Sequence, residues 1–167
     1  MHRDSLNDLA GMEADLKHIL EVNPGNAVAM NALGYTLADK TERYTEAFLL
    51  IQKAHTLEPE NPAILDSLGW ILFKLNKKEE ALLYLLKAFQ GYQDGEVAAH
   101  LGEVLWSFNQ RTEALEVWLN VLNKFPEHPV LLETINRIAP ESLEQKVVNE
   151  EPSIKDDNNS KENSEAP

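Results

Sequence analysis

The sequence predicts an all-α chain built from repeated pairs of antiparallel helices. Three observations predict it. Leu-Gly pairs recur at Leu33-Gly34, Leu68-Gly69 and Leu101-Gly102, spaced 35 and 33 residues. An alanine follows each pair after a short turn, at Ala47, Ala81 and Ala114, spaced 34 and 33 residues. No stretch alternates apolar and polar residues as a half-buried strand does.

Each unit justifies its helices in the same way. Apolar residues recur at helical spacing, as in Met30, Leu33 and Leu37 and then Ala47, Ile51 and Ala54. Gly34, Gly69 and Gly102 fall inside helices, where glycine costs up to ~1 kcal/mol relative to alanine. The expected return is close approach, with a facing helix packed on bare backbone. Ala47, Ala81 and Ala114 serve as the small residues on the second helix. Pro24, Pro59 and Pro126 fall in the same phase and stop helices at the unit boundaries.

Three units span residues 27–128, and half-units flank them. Residues 1–26 read as a partial repeat, with Leu9, Met12, Leu16 and Ile19 on one face of a second helix. Residues 129–140, with "PVLLETINRI", read as a closing helix stopped by Pro140. About seven helices are expected between residues 9 and 138. Little in the sequence covers Leu9, Met12 and Leu16, so the N-terminal face is expected to be sticky. Composition changes after Pro140. Residues 141–167 hold eight acids and three lysines, a net charge of −5, and no aromatic residue. That segment is expected to be a disordered acidic tail.

The 167-residue chain has 28 Asp+Glu against 15 Lys+Arg, a formal net charge of −13. Such a surface repels phosphate backbones and argues against a nucleic-acid partner. The absence of cysteine removes disulfides, thiolate catalysis and cysteine-ligated zinc. No apolar run approaches the ~20 residues of a membrane span. "MHRDSLNDLAG" lacks the apolar core of a signal peptide, so the chain as written reads as soluble and cytoplasmic.

With its Leu, Gly, Ala and Pro in one phase, the sequence resembles the tetratricopeptide repeat, a 34-residue helix-turn-helix unit. That resemblance implies a solenoid stacked as a right-handed superhelix. The first unit has one extra residue in its inter-helix turn, the second is one short, and Val121 replaces a small residue in the third. The strings "NALGYTLADKTERYTEA", "AILDSLGWILFKL" and "EVAAHLGEVLW" resemble the C-terminal repeats of bacterial outer-membrane tetratricopeptide lipoproteins. Relatives in that group include adaptors for a periplasmic carboxyl-terminal processing protease. The likeness implies a periplasmic, outer-membrane-associated setting.

The resemblance also implies a binding groove lined by the first helix of each repeat, at its second, fifth, ninth and twelfth positions. These are Val28, Asn31, Tyr35 and Ala38; Ala63, Asp66, Trp70 and Phe73; Glu96, Ala99, Glu103 and Trp106. Asn31, Tyr35, Asp66, Trp70, Phe73, Glu96, Glu103 and Trp106 are the partner-binding candidates: aromatic rings among polar groups, as binding hot spots use. Alanines between them leave room. The rival reading of Trp70 and Trp106 is packing against neighbouring helices, and Trp118 on a second helix reads as core. A basic or apolar protein segment is the expected partner.

"EVAAHLGEVLW" also places Glu96, His100 and Glu103 on one helical face, as a metal or acid-base site would. His100 takes the sixth position, on the groove's flank, with Asp66 and Glu133 as possible further donors. No HExxH pattern, nucleophile elbow or phosphate-binding glycine loop accompanies it. The expectation is therefore a non-catalytic scaffold without metal or cofactor. Its alternatives are a self-association module working through the N-terminal face and, less favoured, a metal-dependent enzyme.

Overall fold

The computed structural model describes residues 2–143. Among them, eight helices follow in order: α1 (His2–Val22), α2 (Ala27–Lys40), α3 (Tyr44–Leu57), α4 (Pro62–Lys74), α5 (Lys78–Gly91), α6 (Gly95–Ser107), α7 (Arg111–Lys124) and α8 (Pro129–Ile138). The number is eight rather than seven, because three pairs and two flanking half-units each contribute in full. The acidic tail expected from residue 141 lies, from residue 144 onward, outside the described residues. After the break at Ala139 and Pro140, residues 141–143 form one further helical turn, and Leu143 packs against the core, so the packed body passes Pro140.

Two kinds of helix start alternate. The even helices begin on capping side chains. Asn26 accepts from the Ala29 N–H, Asn61 from Ala63, Asp94 from Glu96 and Val97, and His128 from Leu131. Pro62 and Pro129 stand in the first turn of α4 and α8, where a missing N–H costs nothing. Helices α3, α5 and α7 have no side-chain cap. They emerge from tight turns instead. Asn76 and Asn109, both at φ 61°, take the left-handed position that closes α4 and α6. In the first repeat the extra residue lengthens α2 to 14 residues, against 13 in α4 and α6. Thr41 then ends α2, its hydroxyl donating to the Leu37 carbonyl at 2.5 Å.

Packing follows the repeat. Helices pair as α2 with α3, α4 with α5 and α6 with α7, and each pair leans on the next. The even helices also touch one another in sequence, α2 to α4 to α6 to α8, whereas no comparable contact joins the odd ones among the described residues. A double layer that is closed on one side and splayed on the other must curve. The even helices line the concave face. α4, surrounded by α2, α3, α5 and α6, is buried continuously from Ile64 to Leu72.

Gly34, Gly69 and Gly102 sit at close approaches between paired helices. A Cβ on Gly34 would lie 2.6 Å from Ile51 Cγ1 and 3.0 Å from the Ala47 carbonyl oxygen. On Gly69 it would lie 2.6 Å from Leu85 Cγ and 3.1 Å from the Ala81 oxygen. On Gly102 it would overlap the indole of Trp118, which is fully buried as core.

Helix α1 packs on α2, as the second helix of a preceding repeat would. Its contact face differs from the sequence reading. Leu16 and Leu20 pack on the core, while Met12 and Ile19 are 47% and 42% exposed. Glu13 takes part of that face, pairing with Arg43 at 2.8 Å and Lys17 at 2.6 Å. These cations hold the Glu13 carboxyl down at about 2.

Candidate functional site: the concave groove

Three even helices converge on Trp70. It projects from α4, is 6% exposed, and stacks on the His100 ring of α6 with centroids 4.2 Å apart. Lys74, one turn further along α4, places its ammonium 4.4 Å from the Trp70 ring, a cation–π contact. From α2, Tyr35 reaches past α4 and donates its hydroxyl to Glu96 Oε1 on α6, at 2.5 Å. Burial, reinforced by Glu96, pushes the Tyr35 phenol well above its ordinary range, so Tyr35 remains the donor.

The residues Tyr35 and Glu96 line two hollows in the concave face. The upper one, of about 470 Å³, is lined by charged groups of both signs, with Trp70 and His100 among its walls. Lys40 pairs with Asp39 at 2.6 Å, and Arg137 of α8 pairs with Glu103 at 2.6 Å. The lower hollow, of about 170 Å³, contains Asn31, Asp66, Asp94 and Glu96 and no lysine or arginine.

His100 is buried, with Nδ1 at 3.0 Å from both carboxylate oxygens of Asp66. Burial alone disfavours the imidazolium. The Asp66 charge and hydrogen bond, with Glu96 and Glu103, outweigh it and raise the His100 pKa above its ordinary value. His100 and Asp66 therefore form a buried ion pair between adjacent repeats. The flank position expected for His100 is corrected: it is a buried partner of the groove floor. Among the described residues, no group of three or more His, Asp or Glu side chains is arranged to hold a metal ion.

Six of the eight sequence-derived candidates line the two hollows: Asn31, Tyr35, Asp66, Trp70, Glu96 and Glu103. Phe73 and Trp106 line neither. Phe73 packs on the core beside Trp70, and Trp106 lies 5.7 Å from Trp118 with Arg111 over its ring. Ala38 and Ala99 are buried, at 2% and 0% exposure, and so leave no open space; Ala63 does border the lower hollow. Sequence reasoning missed Lys74, Arg137 and Tyr92. Lys74 carried a usable signal, since it stands four residues after Trp70 on the same helical face. Two buried polar atoms, Trp70 Nε1 and Asn31 Oδ1, have no partner among the described residues.

Comparison with known proteins agrees with this architecture. A tetratricopeptide repeat family model matches residues 63–94. A TPR repeat-containing protein of Pseudomonas aeruginosa is 57% identical over 103 residues, covering 62% of this chain. The chain spans 18% of that relative's length. The crystal structure of PilW, a type IV pilus biogenesis factor, is similar with a TM-score of 0.70 at 18% identity, over 87% of this chain and 68% of that one. YrrB, described as a TPR protein with an unusual peptide-binding site, is similar at 0.56 and 26% identity, over 86% of both chains. With its recurring Leu-Gly and Ala positions realised as stacked helix pairs, the chain folds as a tetratricopeptide repeat solenoid.

Proposed function

We propose that this chain is a non-catalytic interaction scaffold that receives a basic or apolar segment of a protein partner in its concave groove. The observation that carries this reading is the pair of adjoining hollows that share Tyr35 and Glu96, the upper one walled by Trp70, whose indole N–H is buried without a partner among the described residues. The similarity to YrrB supports a peptide ligand, and the excess of carboxylates supports a basic one. The likeness of "NALGYTLADKTERYTEA" and "AILDSLGWILFKL" to lipoprotein repeats supports an adaptor role in a bacterial envelope complex serving a carboxyl-terminal processing protease.

The test is capture of partners from a bacterial envelope extract, repeated with Trp70→Ala, Trp106→Ala and Glu103→Lys. Loss of capture by folded Trp70→Ala and Glu103→Lys is the expected result. Unaltered capture by all three, each still folded, refutes the groove. A second reading, self-association, is favoured by Met12, Ile19 and Val22, all exposed on α1. Sedimentation that shows a mass rising with concentration, and reverting in Ile19→Glu, supports it; a constant monomer mass refutes it.

A further inference from the structure

The imidazole of His100 stands in the partition between the two hollows, with Asp66 bordering the lower one and His100 the upper. Nδ1 faces both Asp66 oxygens at 3.0 Å, so the opposite edge of the ring, which carries Nε2, fronts the upper hollow. Trp70 covers one face of the ring. His100 is only 4% exposed. Its Nε2 nevertheless makes no hydrogen bond among the described residues and, unlike Trp70 Nε1, is not sealed off from the hollow.

The Asp66 carboxylate can only accept from Nδ1, and it does so whether the ring is neutral or charged. The proton that comes and goes is therefore the one on Nε2, the atom that fronts the hollow. With it, Nε2 is a donor; without it, an acceptor. Burial opposes the charged form, and Asp66 with Glu96 and Glu103 outweighs burial, so the ring keeps this proton above its ordinary pKa.

The other charges around the ring are mostly committed. Glu96 and Glu103, one turn to either side on α6, are engaged by Tyr35 of α2 and Arg137 of α8. Lys40 pairs with Asp39 on α2, and Lys74 of α4 lies over Trp70. Glu133 of α8 completes the wall, and neither α5 nor α7 supplies a lining residue. With His100 balanced by Asp66, Lys74 is set against Glu96 and Glu133, which leaves the hollow slightly negative. A carboxylate guest meets that excess, whereas a neutral carbonyl does not. At about 470 Å³ the hollow falls within the ~300–1,000 Å³ range of ligand pockets.

We propose that His100 Nε2–H is the docking point for a backbone carbonyl of the bound segment, so that the upper hollow grips its guest while His100 is protonated and releases it when the ring is neutral. This rests on the groove-binding reading and names the atom by which the guest's main chain is held.

The experiment is an NMR titration of the imidazole nitrogens in the ¹⁵N-labelled 167-residue chain, with N-acetyl-alanine N′-methylamide as the carbonyl probe. Acetate, a charged acceptor, and methylammonium, which has no acceptor, are the controls. Without probe, Nε2 should titrate while Nδ1 keeps its proton. The probe should shift His100 Nε2 saturably, and should bind about fivefold to tenfold more weakly one pH unit above the His100 midpoint than one unit below it. It should also move that midpoint upward, as linkage requires of a ligand that prefers the charged ring. His100→Gln, whose amide N–H donates at any pH, should keep the probe and lose the pH dependence. Titration at Nδ1, an equal shift from either control, or one affinity on both sides of the midpoint overturns the proposal. The unmodified chain decides even if the variant does not fold. Partner capture that is lost in Trp70→Ala but unchanged across the His100 midpoint removes the docking point while leaving the groove.

Discussion

Replacing Gly69 by alanine sets two effects of known size against each other. Alanine is a better helix former than glycine by about 1 kcal/mol, so helix propensity alone predicts a more stable protein. The structure predicts the reverse. The new Cβ would stand 2.6 Å from Leu85 Cγ and 3.1 Å from the Ala81 carbonyl oxygen, against an optimal carbon–carbon separation near ~3.5–4.0 Å. Leu85 is fully buried and Ala81 O belongs to the backbone of α5, so neither yields without moving the helix. Overpacking of this kind typically costs about 1–3 kcal/mol. Net destabilisation of up to roughly 2 kcal/mol follows for Gly69→Ala and for Gly34→Ala. Gly102→Ala should be worse, because it meets the rigid indole of Trp118. Gly11 is the internal control. It lies within α1 with nothing within 4 Å of its Cβ position, so Gly11→Ala should gain up to ~1 kcal/mol. Urea unfolding followed by circular dichroism reads all four variants. If Gly69→Ala and Gly102→Ala stabilise as Gly11→Ala does, close approach is not why glycine stands there.

Other outcomes follow from the ion pairs and caps. Because the folded-state pKa of His100 is raised, its contribution is full below the unfolded value of 6.5 and is lost as pH rises through the folded value. The urea midpoint should therefore fall above pH 6.5, with a flatter profile in His100→Gln; a midpoint that rises over that range contradicts the ion pair. Asp66→Asn leaves a buried imidazole facing a neutral amide and should cost about 3 kcal/mol or more in the same assay. The Arg43 pairs with Glu13 and Glu46 are surface contacts, so Arg43→Ala should lower the urea midpoint only slightly, and less in high salt. Asn26→Ala removes the α2 cap and should lower stability by about 1 kcal/mol.

Much of the fold was legible because it is written locally. The Leu-Gly pairs, the alanines and the prolines are repeated signals, and each repetition fixes one contact between neighbouring helices. The glycine contacts to Ile51, Leu85 and Trp118 follow from that register. The groove was legible only where a side chain's direction depends on its own helix, as for Tyr35, Trp70 and Glu96. Where direction depends on a neighbouring repeat, sequence spacing offered Asp66 as a possible companion of His100 but not the burial of the two together. His100 is buried because Asp66, 34 residues earlier, meets it across the packed α4–α6 pair. Phe73 and Trp106 occupy groove positions in the repeat pattern, yet each finds apolar neighbours on which to pack: Trp118 for Trp106, and the core beside Trp70 for Phe73. On α1, Leu20 is drawn to the core where Ile19 was expected, since polar Glu13 holds part of the contact face through Arg43.

The hydrogen bond from Tyr35 to Glu96 has a mechanical consequence. In a solenoid each repeat ordinarily senses only its nearest neighbours, and the stack deforms like a spring whose coils extend independently. Here a side chain of the first repeat is tied to one in the third, 61 residues away. Stretching or unwinding the middle coil must therefore break a bond that the middle coil does not contain. The tie stiffens the concave side against opening while leaving the splayed outer layer compliant. A guest that lodges beside it and loosens it would change the pitch of all three coils at once.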